Sequence, residues 1–581
     1  MNSTFVPLHL LSNYSLLYGA NHIQELVKHA SSLGIKSIAL TDRNNLYGLH
    51  TFLRECKNHH IQPIIGARLE SHGERMICLA RNPAGFAMLS HAITVIHRDP
   101  PPLPELLSLL DGNTIIIIDH TDLLRRVAHL TALRDNPPRV WGGLPGPRHA
   151  MVKVAGEAGV PLVALPEIIG LHRSDYYIHR ILRAIAENTV PGRLTPEQTA
   201  PAEALFPSLP VLKNRFGLYP DALGATSLIA QQCHTTIGND LVFPRYETPV
   251  ESADLLRRLA LQGAEERYGE LSETVLKRMD YELEIINEKG FADYFLVVRD
   301  IVLRASRICG RGSGAASLVA YSLGITNVDP IRHNLYFERF LNRDRQDPPD
   351  IDIDFAWDER DAIIQQVMQD YGRDRCAMVC NHIHFKPRSA LREVAKVHGI
   401  PEGEIARVRK LLSGLSGREG WNPFSRQFYP YKKQRVSLEA PWPEILTTAD
   451  RITGFPRHLG VHVGGLVITP DPIHFHVPVE TAPKGVPIIT WEKDGAEEAG
   501  FVKIDLLGNR SLAVVRDAIA NVKANGITFD QRTWDPLVDA RTVALLASGA
   551  TMGVFYVESP AMRQLQRKTQ RGDFEHLVIH S

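Results

Sequence analysis

The string Pro349-Asp350-Ile351-Asp352-Ile353-Asp354-Phe355 constrains the fold more than any other part of the chain. Its strict alternation makes a strand, with three carboxylates on one face and Ile351, Ile353 and Phe355 on the other. Same-face neighbours on a strand stand about 6.6 Å apart, two rises. Aspartates so placed repel one another unless a cation sits among them. Two readings remain open: an edge strand with an acidic solvent face, or a site for divalent cations. Two Mg²⁺ ions about 3.5–4 Å apart, bridged by such carboxylates, stabilise both the attacking and the leaving oxygen of an in-line phosphoryl transfer. A helix is predicted to follow, with Asp358 as N-cap, Ile363, Ile364, Val367, Met368 and Tyr371 on one face, and Gly372 at its end.

Two other elements bear on the choice. Gly310-Arg311-Gly312-Ser313-Gly314-Ala315-Ala316-Ser317 is a run of small residues whose backbone N–H groups could close around a phosphate, with the positive N-terminus of a following helix behind it. No Lys-Ser or Lys-Thr closes it, so it does not fit the usual P-loop. Phe501-Val502-Lys503-Ile504-Asp505-Leu506 alternates again and places Lys503 and Asp505 on one strand face, as a surface ion pair or as a triphosphate-neutralising lysine beside a metal-holding carboxylate. Together, a phosphate turn, a carboxylate pair and a distant Lys plus Asp form the layout of a nucleotidyltransferase palm.

With 581 residues the chain is expected to hold about three to five domains. Lys plus Arg and Asp plus Glu balance at 65 each, so no gross charge excess announces a partner. The longest apolar stretches, such as 114–118 and 315–319, fall far below the roughly 18 residues of a membrane span. The segment 1–22 lacks the pattern of a secretory signal, which points to the cytoplasm. Six cysteines build no disulfide framework. Short apolar runs at 35–40, 61–65, 76–80, 114–118 and 160–165 alternate with helix-length segments, which reads as βα units and hence a parallel sheet or barrel. The Pro-rich stretches 100–104 and 137–147 are expected to be loops, and 191–210 a linker. Val275, Met279, Leu283 and Ile286 at helical spacing, ending at Gly290, predict a helix over 272–289.

The segment 385–436 breaks the neutral average, with twelve Lys or Arg against four Glu. Trp421, Phe424, Phe428, Tyr429 and Tyr431 are interleaved with those cations, as on a surface that follows a phosphate backbone; a solvated helical domain with a few buried aromatics has the same composition.

From Gly290 through Phe355, with Tyr294-Phe295-Leu296-Val297-Val298, the Gly310–Ser317 run and Phe337-Glu338-Arg339-Phe340-Leu341-Asn342 before the aspartates, the chain closely resembles the alpha subunit of bacterial DNA polymerase III, the C-family replicative polymerase. His462-Val463-Gly464-Gly465 resembles the family's His-x-Gly-Gly strand, Val502-Lys503-Ile504-Asp505 its third carboxylate, and Gly553-Val554-Phe555-Tyr556-Val557-Glu558-Ser559 the entry to its fingers. The resemblance implies a multidomain α/β protein. A PHP-type βα barrel (1–230, with linker) precedes a polymerase-beta-like nucleotidyltransferase palm (231–384 and 458–510), with a helical thumb inserted (385–457) and the start of the fingers at 511–581. It implies Asp352, Asp354 and Asp505 as catalytic ligands of two Mg²⁺ ions, and Gly312, Ser313 and Lys503 at the nucleotide phosphates. Arg407, Arg409, Lys410, Lys432 and Lys433 of the thumb then lie on DNA. The implied partners are primer–template DNA and deoxynucleoside triphosphates.

In the barrel the chain departs from the family's metal-binding pattern. His-x-His is His9-Leu10-Leu11, Thr-Asp-His is Thr41-Asp42-Arg43, Gly-x-Glu is Gly66-Ala67-Arg68, and Asp-x-His is Glu167-Ile168-Ile169. With Leu11, Arg43, Arg68 and Ile169 in ligand positions, no metal is expected there, and a 3′–5′ exonuclease or phosphoesterase reading is the weaker one. Ser12-Asn13-Tyr14-Ser15 and Trp491-Glu492-Lys493-Asp494 look more like the error-prone branch. A zinc site at Cys376, Cys380, His382 and His384 lacks a closing ligand pair, and His458 with His462 lacks the helix of a metalloprotease motif. The resemblance covers the N-terminal two-fifths to half of such a subunit, with the clamp-binding regions missing. A split or truncated product is therefore expected: either a second chain completes the fingers, or this chain is a DNA-binding or assembly fragment inactive alone.

Overall fold

The computed structural model describes residues 5–130, 139–235, 237–238, 240–344, 349, 351–414, 439–528 and 536–580. The apolar runs form strands β1 (Ser37–Leu40), β2 (Gln62–Ser71), β3 (Glu74–Ala80), β4 (Thr114–Ile118), β5 (Val140–Leu144) and β6 (Leu162–Ala164), joined in one sheet in chain order. Further along come β7 (Ile308–Arg311), β8 (Ile351–Ala356), β9 (Cys376–His384), β10 (Pro456–Ile468), β11 (Val479–Thr481), β12 (Pro487–Ile489) and β13 (Lys503–Asn509). The chain packs as two units, Met1–Arg245 with Met368–Lys503 and Tyr246–Val367 with Ile504–Ser581.

In the first unit the sheet is only partly parallel, because β3 runs antiparallel to both β2 and β4. His72 and Gly73, both at positive φ, form the two-residue turn whose twist suits a hairpin, and this overrides the βα rhythm. A second departure is β5, which lies inside the 137–147 stretch expected as a loop; the prolines of that stretch fall outside the strand, so its ladder keeps its donors. The segment before β1 curls the sheet into a barrel. Ala39 and Thr41 donate to the carbonyls of Pro7 and Leu10, both at 2.8 Å, while Leu11 donates to Ile168 (2.9 Å) and Ile168 to His9 (3.0 Å). Ile115 to Ile118 of β4 are all buried, as expected for a strand covered on both faces. The stretch 191–210 is not a loose linker: Ala200 and Ala204 pack with Leu11, Tyr18 and Ile169 of the barrel.

The same unit holds β9 to β12 in the order β11-β12-β9-β10, and their apolar side chains, together with Trp491 and Phe501 from the segment after β12, join the barrel core. Helices Pro387–Val397, Glu402–Gly414 and Trp442–Ile452 occupy the expected thumb region. Their Leu391, Val394, Ile405, Ile445 and Ala449 share one core with Ile178, Ile181 and Leu182 of the barrel helix Arg173–Ala186. Arg451 adds an ion pair to Glu25 at 2.9 Å.

The second unit contains helix Glu273–Glu288, as expected, capped by Ser272 and ending near Gly290 at φ +71°. Its strands are ordered β13-β8-β7. The helix after β8 runs Arg360–Asp370, so Asp358 lies short of its first turn and pairs with Arg516 at 2.7 Å instead. No helix among the described residues is long and apolar enough to cross a membrane.

Leu182 is buried where the barrel helix meets the thumb helices, so Leu182→Ala is expected to cost about 2–5 kcal/mol. Hydrogen exchange under mild urea should show 387–397 and 442–452 opening together with 173–186.

Candidate active site

Strands β8 and β13 run parallel in a register that sets Asp505 opposite Asp352 and Leu507 opposite Asp354. On the other side β7 is antiparallel, with Arg311 opposite Asp352 and Cys309 opposite Asp354. β8 is therefore an inner strand, which disposes of the edge-strand reading. Because directly paired residues point to one face, Asp352 and Asp505 stand side by side. Ile351, Ile353 and Phe355, at most 1% exposed, fill the opposite face. Asp354 is 9% exposed and Asp505 8%. The Asp354 carboxylate accepts from Asn509 Nδ2 at 2.9 Å and lies 3.4 Å from Arg311 Nε. Among the described residues no three His, Cys, Asp or Glu side chains converge as a ready metal cage. Register, rather than a closed set of ligands, is what gathers these carboxylates. Asp350 lies outside the described residues.

The glycine run follows β7 as a 3₁₀ turn, Gly312–Ala316. A Cβ on Gly310 would fall 2.1 Å from the Ile325 carbonyl oxygen, so no side chain fits there. Gly312 has φ +72° and brings the turn close to Asp352: its Cβ position is 3.6 Å from Asp352 Oδ2. Gly312 and Ser313 thus sit beside the aspartates. The helix behind them does not play the expected part. Leu318–Ser322 has five residues, and its first amides are already taken. Leu318 N–H donates to Glu282 Oε1 (3.0 Å), while Val319 N–H and the Ser317 hydroxyl donate to Oε2 (3.1 and 2.8 Å). A protein carboxylate occupies the helix end that the sequence offered to a phosphate.

Lys503 opens β13, is 8% exposed, and by alternation shares a strand side with Asp505. A Cβ on Gly465 would lie 3.0 Å from Lys503 Cδ and 3.0 Å from His462 Nδ1, so this glycine leaves room for the lysine stem. His462 Nδ1 accepts from the N–H groups of Gly464 (3.3 Å) and Gly465 (2.8 Å). His458 and His462 lie on strand β10, not on a helix. Cys376 and Cys380 are buried thiols, the first pushed up to about 12 by burial, and His382 Nε2 bonds the Thr490 carbonyl at 3.0 Å. Sequence reasoning missed Asn509, Glu282 and the contact of Arg311 with Asp354; only the strand registers and the helix packing bring these together.

In the barrel, two of the positions that differ from the family pattern, Arg43 and Arg68, belong to an ion network. Arg68, 4% exposed, pairs with Glu167 at 2.7 Å and with Glu70. Arg43 pairs with Glu70 at 2.6 Å, and Arg75 with Asp119 at 2.7 Å and Glu167 at 3.4 Å. Three guanidinium groups thus face three carboxylates. The Arg43 and Arg68 guanidiniums lie 4.6 and 5.1 Å from the centre of the Tyr18 ring. Burial alone would push the Glu167 carboxyl up, but Arg68, then His9 and Arg75, outweigh it and hold it far below the usual carboxylate range. Burial lowers His9 to about 4, against the pull of Glu167. Asp42 accepts from Ser12 N–H (2.7 Å), Ser12 Oγ (2.8 Å) and Ser15 Oγ (2.6 Å), yet burial still raises its carboxyl. Leu11 and Ile169 are wholly buried against Tyr18.

Three family models match the chain in order. The PHP domain matches residues 7–144, the bacterial DNA polymerase III alpha NTPase domain 254–508, and the bacterial DNA polymerase III alpha subunit finger domain 511–581. The chain belongs to the bacterial DNA polymerase III alpha-subunit family. It is 33% identical to the error-prone DNA polymerase of Symbiobacterium thermophilum over 99% of this chain and 57% of that one. To the DNA polymerase III subunit alpha of Halalkalibacterium halodurans it is 32% identical over 99% and 54%, and to the error-prone DNA polymerase of Pseudomonas aeruginosa 32% over 99% and 58%. The chain therefore spans a little more than half the length of the curated alpha-subunit relatives it matches, slightly above the expected share. Both branches match at similar identity, so overall identity does not separate them.

All six candidate palm residues, and Arg407, Arg409 and Lys410, fall inside the stretch that matches the alpha-subunit model. Arg407 is exposed and paired with Glu404 at 2.6 Å, an i,i+3 contact that costs little to exchange for a phosphate. Arg409 is half-buried and Lys410 exposed. Lys432 and Lys433, with Trp421, Phe424, Phe428, Tyr429 and Tyr431, lie outside the described residues.

Removing Arg68 would leave Glu167 and Glu70 without their main buried cation. Arg68→Met is expected to destabilise the protein by about 3–5 kcal/mol. Because Glu167 is depressed in the folded state, its contribution is full above its unfolded value of 4.5 and is lost as pH falls below it. Acid titration followed by circular dichroism should find wild type resisting to lower pH than Arg68→Met.

Proposed function

We propose that this chain is the barrel, palm and thumb portion of a DNA-templated DNA polymerase, adding deoxynucleotides to a primer 3′ end. The carrying observation is the in-register pair Asp352 and Asp505 on adjacent strands, beside the Gly312–Ser313 turn. The family as a whole implies a divalent cation. The donor set suits a hard one: carboxylate oxygens and no sulfur or imidazole among the candidate ligands. Asp352, Asp354 and Asp505 would hold two Mg²⁺ ions, which when bound supply charge stabilisation at the attacking and leaving oxygens. Gly312 and Ser313 present backbone N–H groups to the triphosphate, and Lys503 offsets part of its charge. Arg311 and Asn509 keep Asp354 oriented meanwhile. Domain limits at 230, 384, 457 and 510 go with this reading, as does a cytoplasmic location.

The barrel is read as structural rather than as a phosphoesterase. Arg68 already stands as a cation between Glu70 and Glu167, and Leu11 and Ile169 offer no ligand atoms.

A second reading, that this chain works only with further polypeptide over its finger region, draws on one observation. Met552, Phe555, Tyr556, Val578 and Ile579 are 57–75% exposed, far more than apolar side chains of a finished core. That polypeptide would be a second chain or the rest of a longer one, and any sliding-clamp contact would also lie there.

Asp352→Ala and Asp505→Ala are each expected to abolish primer extension and to weaken Mn²⁺ binding measured by electron paramagnetic resonance, with the melting temperature kept. Equal extension by wild type and both variants would remove the assignment. If the thumb follows the duplex, log affinity falls against log salt with a slope of about −0.9 per phosphate contact. Replacing Arg407, Arg409 and Lys410 with Ala should flatten that slope by about 1–3 units and weaken every DNA sequence alike. An unchanged slope would take this segment off the DNA.

A further inference from the structure

Glu282 is wholly buried on helix Glu273–Glu288, and every lone-pair direction of its carboxylate is in use. Oε1 accepts from Arg278 Nε at 2.7 Å and Leu318 N–H at 3.0 Å; Oε2 accepts from the Ser317 hydroxyl at 2.8 Å and Val319 N–H at 3.1 Å. Arg278 reaches past it to the carbonyls of Ala316 and Leu335, both at 3.1 Å. The two side chains therefore grip the 3₁₀ turn Gly312–Ala316 at its exit. At its entrance the turn is held by the β7–β8 pairing of Arg311 with Asp352 and by the close approach of Gly310 to Ile325. Between these two anchors stand the residues that face the aspartates.

A buried carboxylate is costly unless its hydrogen bonds are complete, and here backbone and side chains of one segment complete them. The arrangement does two things at once. It takes up the first two amides of the helix Leu318–Ser322, and it fixes the path of the turn before any ligand arrives. A turn fixed beforehand does not have its ordering entropy to lose when a phosphate binds. We propose that Glu282, with Arg278, is a positioning residue for the incoming nucleotide: it presets the Gly312–Ser313 turn. This rests on the reading of that turn as the triphosphate contact.

The test uses the full chain with a dideoxy-terminated primer–template and Mg²⁺-dATP, titrated by calorimetry, with hydrogen exchange of 312–319 measured on the same samples. In Glu282→Gln the new amide NH2 faces at least one backbone N–H donor whichever way it turns, Leu318 or Val319, so the 312–319 amides should exchange faster. The nucleotide Kd should rise about tenfold while the DNA Kd stays unchanged. Ser317→Ala removes one of the four contacts together with the hydroxyl's bond from Ala320 N–H, is expected to fold, and should move both readouts the same way by a smaller amount. A merely structural residue would lower the melting temperature without separating nucleotide from DNA affinity. A looser turn with unchanged nucleotide Kd, or an unchanged turn in both variants, overturns the proposal. If wild type itself takes up no nucleotide, the triphosphate reading of the turn fails before any variant is compared, and the positioning role falls with it.

Discussion

Parallel pairing of β8 with β13 is the constraint on which the candidate site depends. It brings together two short strands far apart in sequence and leaves no freedom in their relative position. A slip of one residue would turn every carboxylate to the apolar side and every isoleucine outward. The cost of Ile351, Ile353 or Phe355 in water enforces the register, so the hydrophobic face of the strand positions the charged one. Carboxylates that would separate in an open chain are thereby held side by side.

The chain satisfies its buried carboxylates from several sources. In the barrel, Glu70, Glu167 and Asp119 are paired with arginines of the same domain, Arg43, Arg68 and Arg75. Glu282 is likewise satisfied from within, by two amides, a hydroxyl and Arg278. The aspartates of β8 and β13 stand at a strand face bordered by a glycine turn. Glycine at 310 and 312 matters here for opposite reasons. One allows two backbones to touch, and the other supplies a left-handed φ that steers the turn toward Asp352.

Much of this was legible in the sequence because it is local. Alternation announced β8 and β13, spacing announced the helix over 272–289, and the departures at Leu11, Arg43, Arg68 and Ile169 were visible residue by residue. The errors share a cause as well. The antiparallel β3 turned on a two-residue loop at His72-Gly73, and β5 hid between prolines. Asp358 lost its cap role to Arg516, which lies far along the chain. The empty helix end expected after Ser317 was filled by a glutamate from another helix, and no pattern within 310–322 could have shown it.

What the sequence by itself determined was the set of short-range periodicities and the identity of the side chains each face would carry, since these follow from the geometry of a strand or helix alone. The family membership rests on the same local strings. Only the tertiary structure decided that Asp352 lies opposite Asp505, that Arg68 stands between Glu70 and Glu167, and that Glu282 caps the turn's exit. Each of these joins residues from separate segments, and their distance is fixed by how buried apolar faces pack, a quantity that no local pattern contains.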